Sequence, residues 1–229
     1  MAIREEPEAA EQVLTRTMDE PDYPDSFFLL GREWDLHRDV FPGTITAATE
    51  VMASILPYPP GGSFLEVGSG TGVISVTAAL SGCAHVTAVD INPRAVANTA
   101  ANARRHGVED IVRALHSDLF QALQPADRYD AIFWNVPWTY VAEDFPMSSE
   151  LHGAVFDPGY KGQEAYISGA RCHLAEGGRL LIGTADLGDR QLLDQFAAKA
   201  GMRVELLRRV RRIEVQRVME YHLLDLHEK

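Results

Sequence analysis

The feature that most constrains this chain is the order of its elements. From residue 63, short apolar runs alternate with helical segments, and the first junction, SFLEVGSGTG, is a strand running into three glycines. Strands and helices alternating in this way bury their apolar faces in a parallel sheet covered by helices. The pattern predicts helices over 72–81, 92–107, 161–175 and 188–200, with strands over 85–91, 111–116, 129–134 and 177–185. Asn92 is the expected N-cap of the second helix, Pro93 its first residue and Gly107 its stop. Two β-rich runs, 202–213 and 216–226, have no helix between them and must pair antiparallel at or near one edge. Residues 139–160 read as a long irregular connection, a kind that is usually functional or mobile in a compact domain. Ahead of the sheet, Ile45, Ala48, Met52 and Ile55 fall at helical spacing and predict a helix over 44–56, closed by PYPPGG.

Charge and cysteine content narrow the setting. The 229 residues carry a net charge of −12. Affinity for a nucleic-acid duplex comes largely from neutralised phosphates, so this balance counts against such a partner. Residues 1–25 hold half of that charge; with Pro7, Pro21 and Pro24 they read as a short helix or a frayed tail. Residues 203–217 run the other way, with six arginines against two glutamates. Arg208, Arg209, Arg211 and Arg212 would split between the two faces of a strand, and a solvated edge that resists aggregation is favoured over an anion clamp. No apolar run approaches the roughly 18 residues of a membrane span. The acidic N-terminus has no apolar stretch like that of a secretory signal. Cys83 and Cys172 cannot form a disulfide framework, so a reduced, cytoplasmic setting is expected. The histidines and cysteines show no metal-ligand spacing, and no metal site is expected.

The glycine loop holds the first chemistry. Glu66-Val67-Gly68-Ser69-Gly70-Thr71-Gly72 leaves a strand and opens a helix, where glycines permit a tight turn and close backbone approach to a ligand. Asp90 closes the next strand, where a carboxylate can accept hydrogen bonds from a ribose. A dinucleotide loop would place its third glycine at Val73, and a pyrophosphate would be repelled by Glu66. A sulfonium or ammonium ligand would favour that carboxylate. This E-x-G-x-G-x-G form resembles the first motif of the class I S-adenosylmethionine-dependent methyltransferases. The resemblance implies that Asp90 holds the ribose, that Ile91 packs on the adenine, and that Asp118 caps the adenine amino group with Leu119 beside it. It covers roughly 60–226 and implies a Rossmann-like α/β fold: a mostly parallel seven-stranded sheet, an antiparallel final strand, and helices on both faces. The cofactor it implies is S-adenosylmethionine, with S-adenosylhomocysteine as the product.

At the end of the fourth strand stands Asn135-Val136-Pro137-Trp138. It resembles the [N/D]-P-P-[Y/F/W] motif of amino-methylating enzymes: the glutamine methyltransferases of release factors and the amino-group methyltransferases of DNA and ribosomal RNA. The resemblance implies that the Asn135 side-chain oxygen and a following backbone carbonyl accept hydrogen bonds from a planar –NH₂, while Trp138 stacks on the acceptor. Two acceptors orient such a nitrogen and strengthen as it becomes positive in the transition state. Val136 stands where the motif has its first proline; its carbonyl remains, and Pro137 biases it toward an extended backbone. Alternatively, Asn135 and Trp138 merely shape a turn at the strand end.

These readings place catalysis on Asn135, Pro137 and Trp138. The cofactor falls to Glu66, Gly68, Ser69, Gly70, Thr71, Gly72, Asp90, Ile91, Asp118, Leu119 and Asn135. Trp34, His37, Val136, Trp138 and Tyr140 are expected at the substrate, with His37 orienting or deprotonating it. Residues 1–58 are expected as an N-terminal extension that caps the acceptor, and 59–229 as the methyltransferase domain. The segment 40–56 either lies over the cofactor, as in the same subgroup, or simply packs. The leading expectation is N-methylation of a planar or amine nitrogen of a small metabolite, for example in secondary metabolism, with no membrane partner. The alternatives are methylation of a protein glutamine or of an rRNA or DNA amino group, small-molecule O- or C-methylation, and a SAM-binding module without catalysis.

Overall fold

The computed structural model describes residues 24–149, 151–214 and 217–228, so most of the acidic N-terminal segment lies outside the described residues. The chain begins with a hairpin, β1 (Ser26–Leu29) and β2 (Arg32–Asp35), and then α1 (Ala48–Ile55). The alternating part follows: β3 (Ser63–Val67), α2 (Val73–Leu80), β4 (His85–Asp90), α3 (Pro93–Arg105), β5 (Val112–His116) and β6 (Tyr129–Asn135). Beyond it come β7 (Thr139–Val141), α4 (His152–Val155), β8 (Phe156–Pro158) and α5 (Lys161–Ala170). The chain closes with β9 (Leu174–Ala185), α6 (Arg190–Lys199), β10 (Met202–Glu214) and β11 (Arg217–Glu228).

Seven strands form one sheet in the order β10-β11-β9-β6-β3-β4-β5. Strands β5, β4, β3, β6 and β9 pair in parallel, and β11 enters antiparallel between β9 and the edge strand β10. Helices α1, α2 and α3 share one apolar cluster with one face of the sheet, while α5 and α6 share a second cluster with the other. Burial on both faces explains why β3 and β6 read as near-continuous apolar runs rather than alternating ones. The Rossmann-like α/β sheet with one antiparallel strand is therefore the fold of this chain.

Local signals set the boundaries where they are strong. The Asn92 side chain accepts from the Arg94 amide at 2.8 Å, Pro93 opens α3, and Gly107 leaves it at φ +68°. Where the signals are weak the structure differs. The first helix starts at Ala48 rather than residue 44, and the helix expected over 161–175 is α-helical to Ala170 and runs on as a 3₁₀ turn, Arg171–His173, until β9 begins at Leu174. The connection 139–160 is not irregular throughout: β7 and β8 pair in parallel, with Thr139 opposite Phe156. Phe156 and Val141 bury a small cluster with Phe41 and Phe145, which gives this excursion its own core.

The N-terminal hairpin corrects two expectations. It docks on α3, outside the lining of the cavity described below. The Asn98 and Asn102 side chains both donate to the Asp35 carbonyl, at 2.8 and 3.0 Å, and accept from the amides of His37 and Asp35. Arg105 bridges Glu33 and Asp35. Trp34 is fully buried beneath this hairpin, with its Nε1 donating to Leu29 O at 2.9 Å and its ring against His106. Trp34 is thus a core anchor, and His37 is held beside α3 by its backbone; neither lines the cavity described below.

Candidate active site

In an open α/β sheet, ligands bind beyond the C-terminal strand ends where the strand order reverses. Here that point lies between β3 and β6, and a cavity of about 580 Å³ opens there. Its floor is Glu66 to Thr71, its flank Asp90, Ile91, Ser117, Asp118 and Leu119, and its far wall Trp134 to Thr139. The segment Val40 to Thr49 closes one side, so 40–56 both packs, through α1, and faces the cavity.

The glycine loop forms a backbone cradle. Gly68 and Gly70 sit at φ +66° and +54°. A Cβ on Gly70 would meet open space, whereas one on Gly68 would lie 2.8 Å from the indole Nε1 of Trp134. Asp90 is fixed above the loop: Oδ2 accepts from the Gly70 amide at 2.8 Å and Oδ1 from the Asn92 amide at 2.9 Å. Ser69 Oγ and Thr99 Oγ1 lie 3.0 Å apart, tying the loop to α3. Gly72 differs from its neighbours in the motif. It does not line the cavity; at φ +82° it lets α2 approach α3, and a Cβ there would lie 2.8 Å from the Thr99 backbone.

Glu66 is buried, and Ser75 Oγ from α2 donates to its carboxyl. Burial, reinforced by the Asp90 charge, pushes its pKa up to about 8, against the pull of the Ser75 bonds. With no ligand beside it, the group therefore holds a proton at neutral pH, and a cation placed there would draw it back toward the ionised form.

The wall at the end of β6 carries the second set of groups. Asn135 pairs with Gly183 in the sheet, and its Oδ1 is buried with no hydrogen-bond partner among the described residues. The Val136 amide donates to Gly183 O at 3.0 Å. Trp138 lines the cavity and meets Tyr221 edge-on. Tyr140, expected at the substrate, instead turns its ring against Tyr160 outside the cavity lining. Asp157 faces the cavity and accepts from the amides of Gly162 and Gln163, each at 2.9 Å; burial raises its pKa despite those bonds.

Several contributors escape sequence reasoning. β10 and β11 stay paired for four residue pairs beyond the last contact of β11 with β9. The tip of this arm brings Glu214, Arg217 and Met219 to the cavity. Glu214 accepts from the Ala47 amide at 2.9 Å and from the Tyr221 hydroxyl, which clasps the arm to the 40–49 segment. Nothing local in the sequence marks these positions, because the register of a long hairpin decides them. The Asp157–Gly162 stretch carries a local signal, an acid and two glycines at the entry to α5.

The groups present fit S-adenosylmethionine. The loop leaves an open face at Gly70, Asp90 is pre-set for a diol, and Glu66 sits where a positive charge would be favoured. Among the described residues no group of three or more His, Cys, Asp or Glu stands ready to hold a metal. No helix of the described residues is long and apolar enough to cross a membrane.

A family model described as the methyltransferase small domain matches residues 37–151. A provisionally named protein N5-glutamine methyltransferase of Methanocaldococcus jannaschii is 32% identical over 151 residues, covering 64% of this chain and 74% of that one. The release factor glutamine methyltransferase of Cereibacter sphaeroides is 31% identical over 185 residues, covering 77% of this chain and 65% of that one. The chain thus spans just under two thirds of the release-factor enzyme. Among solved structures, a 16S rRNA N2 methyltransferase of T. thermophilus in complex with AdoMet and guanosine superposes with a TM-score of 0.58 at 20% identity. That superposition covers 89% of this chain and 50% of that one, and at this identity it bears on the fold alone.

Proposed function

The chain belongs to the methyltransferase small domain family and is an S-adenosylmethionine-dependent methyltransferase, and from that premise we propose that it methylates the side-chain carboxamide nitrogen of a glutamine in a protein. The observation that carries this reading is Asn135: a carboxamide on the wall of the cofactor cavity, with an oxygen that is buried and unpartnered. A buried acceptor without a donor is costly, and an incoming –NH₂ relieves that cost. Asn135 itself lines the cavity, so its carboxamide lies at the wall that an acceptor amide would meet.

The bound cofactor supplies a methyl group on a sulfonium, ready for in-line displacement. The protein supplies orientation. Asn135 Oδ1 and the Val136 carbonyl would accept the two N–H bonds of the glutamine amide, and Trp138 would stack on its plane. As the nitrogen forms its new bond it becomes positive, and both acceptors then bind it more tightly than in the ground state. One N–H proton leaves to water after transfer, so no strong base is needed. Asp90 and the glycine loop would fix the cofactor, which would hold methyl and nitrogen in line and lower the entropic cost.

Net charge ranked a small metabolite first as the acceptor. Both named relatives carry glutamine methyltransferase names, one of them provisionally, and this favours the protein acceptor instead. The test is purified protein with tritiated S-adenosylmethionine across fractions of a cell lysate, followed by peptide mapping. Label is expected in the protein pool on a glutamine, and lost with Asn135→Ala. Label confined to RNA or to small molecules overturns the proposal.

A further inference from the structure

The acceptor loop lacks the first proline of the motif it resembles, and the structure holds that loop by other means. Three hydrogen bonds anchor it from outside. The Val136 amide, which a proline would lack, donates to Gly183 O at 3.0 Å. Gln163 Nε2 donates to Pro137 O at 2.9 Å. The Tyr160 hydroxyl donates to Trp138 O and accepts from the Asp189 amide at 3.3 Å.

Gln163 and Tyr160 are both almost fully buried, and each is itself locked. The Gln163 amide is bound by Asp157, which also holds the Gly162 amide and so fixes the first turn of α5. Tyr160 adopts the left-handed region at φ 54°, uncommon for a bulky residue, and its amide donates to Asp157 O at 2.8 Å. That conformation aims the phenol back across the long β6–α5 connection at the loop.

We infer that Gln163 and Tyr160 are positioning residues for the transfer. They occupy the carbonyls of Pro137 and Trp138 and so leave the Val136 carbonyl and Asn135 Oδ1 as the acceptors the loop offers a planar –NH₂. Among the described residues no bond is made to the Val136 carbonyl from outside the loop. The inference rests on the carboxamide reading of Asn135. It adds that selectivity for a nitrogen bearing two N–H bonds is set by α5 as well as by the loop itself.

The test uses the full chain labelled with 5-fluorotryptophan, with the Trp138 line assigned through Trp138→Phe. Gln163→Met keeps volume and removes the donor. It is expected to shift or broaden the Trp138 fluorine line and to lower kcat on the protein fraction that the wild type labels by about tenfold to a hundredfold. The calorimetric Kd for S-adenosylmethionine should stay within about twofold of wild type, because the glycine loop is untouched. In an Asn135→Ala background, Gln163→Met should lower the residual turnover by less than it does in the wild type, since one of the two acceptors it positions is already gone. A merely structural role predicts instead an additive loss and a weakened cofactor Kd. Tyr160→Phe, which keeps ring and backbone, repeats the test should Gln163→Met fail to fold. An unmoved Trp138 line together with wild-type kcat overturns the inference. If Asn135→Ala alone retains full activity, the carboxamide reading falls, while the fluorine line still decides whether α5 holds the loop.

Discussion

Gly183→Ala isolates the seat of Asn135. Gly183 lies on β9 opposite Asn135, and a Cβ there would stand 2.8 Å from Asn135 Oδ1, 3.0 Å from Phe133 Cζ and 3.1 Å from Met52 Cγ. Phe133 and Met52 are fully buried, so neither has room to withdraw. The Asn135 carboxamide borders the cavity and is the group free to yield. Overpacking of this kind costs about 1–3 kcal/mol. For a chain of this size that lowers the melting temperature by about 2–4 °C per kcal/mol, or about 2–12 °C in all. The larger effect should fall on turnover. A displacement approaching 1 Å at a group that aligns the acceptor costs about a hundredfold in rate. Melting curves, cofactor titration by calorimetry and turnover on the labelled protein fraction are the three measurements. The expected pattern is a modest loss of stability, an unchanged cofactor Kd and a kcat down by about two orders of magnitude. Wild-type kcat in a folded Gly183→Ala protein would refute the assignment of Asn135 as the acceptor ligand.

Three further outcomes are expected. Glu66 keeps its proton in the folded chain up to about pH 8, whereas an unfolded glutamate loses it near 4.5. Folding therefore takes up a proton across that window, and the ligand-free protein should lose stability as pH rises, by up to about 1.4 kcal/mol per pH unit. Glu66→Gln should flatten that slope in denaturant melts from pH 5 to 8, and parallel curves for the two proteins would count against a buried neutral carboxyl. Gly72→Ala combines a left-handed backbone with a clash against the Thr99 backbone, and should cost about 2–4 kcal/mol in chemical unfolding. His37→Ala should leave kcat and cofactor Kd unchanged and stability within about 0.5 kcal/mol, because its ring lies off the cavity; a tenfold fall in kcat would restore a role at the acceptor.

What could be foreseen from the residues follows from how local each signal is. The strand–glycine–helix junction, the capped helix after Asn92 and the acid at the end of β4 are written within a few consecutive positions, and each occurs where expected. The motif at Asn135 is likewise local, and it lines the cavity. Trp34 and His37 misled because aromatic and charged residues ahead of the core suit a lid as well as a hairpin. Which one forms is decided by Asn98 and Asn102, more than sixty residues away, whose amides match the backbone of β2. Glu214, Arg217 and Met219 reach the cavity only because β10 and β11 outrun β9, and no window of sequence encodes that overrun. Gln163 and Tyr160 were hidden for a related reason: their partners are backbone carbonyls, which every residue carries alike.

The same distinction between local and distant settles what net charge can say about the acceptor. On β10, Arg209 and Arg211 share Glu220 at 3.4 and 2.6 Å, so part of the basic run is neutralised from the neighbouring strand. Arg208 and Arg212 donate to the adjacent carbonyls of Leu207 and Arg211 along an exposed edge, a charged rim of the kind that discourages strand-to-strand association. Part of the charge counted over the whole chain therefore sits on an exposed edge, while Glu214 and Arg217 at the tip of the same hairpin line the cavity. On the proposed reading, acceptor choice falls to Asn135, Val136 and Trp138 beside the cofactor loop, and the groups they present are hydrogen-bond acceptors and an aromatic face. A neutral, planar carboxamide satisfies those groups whatever the charge of the molecule that carries it.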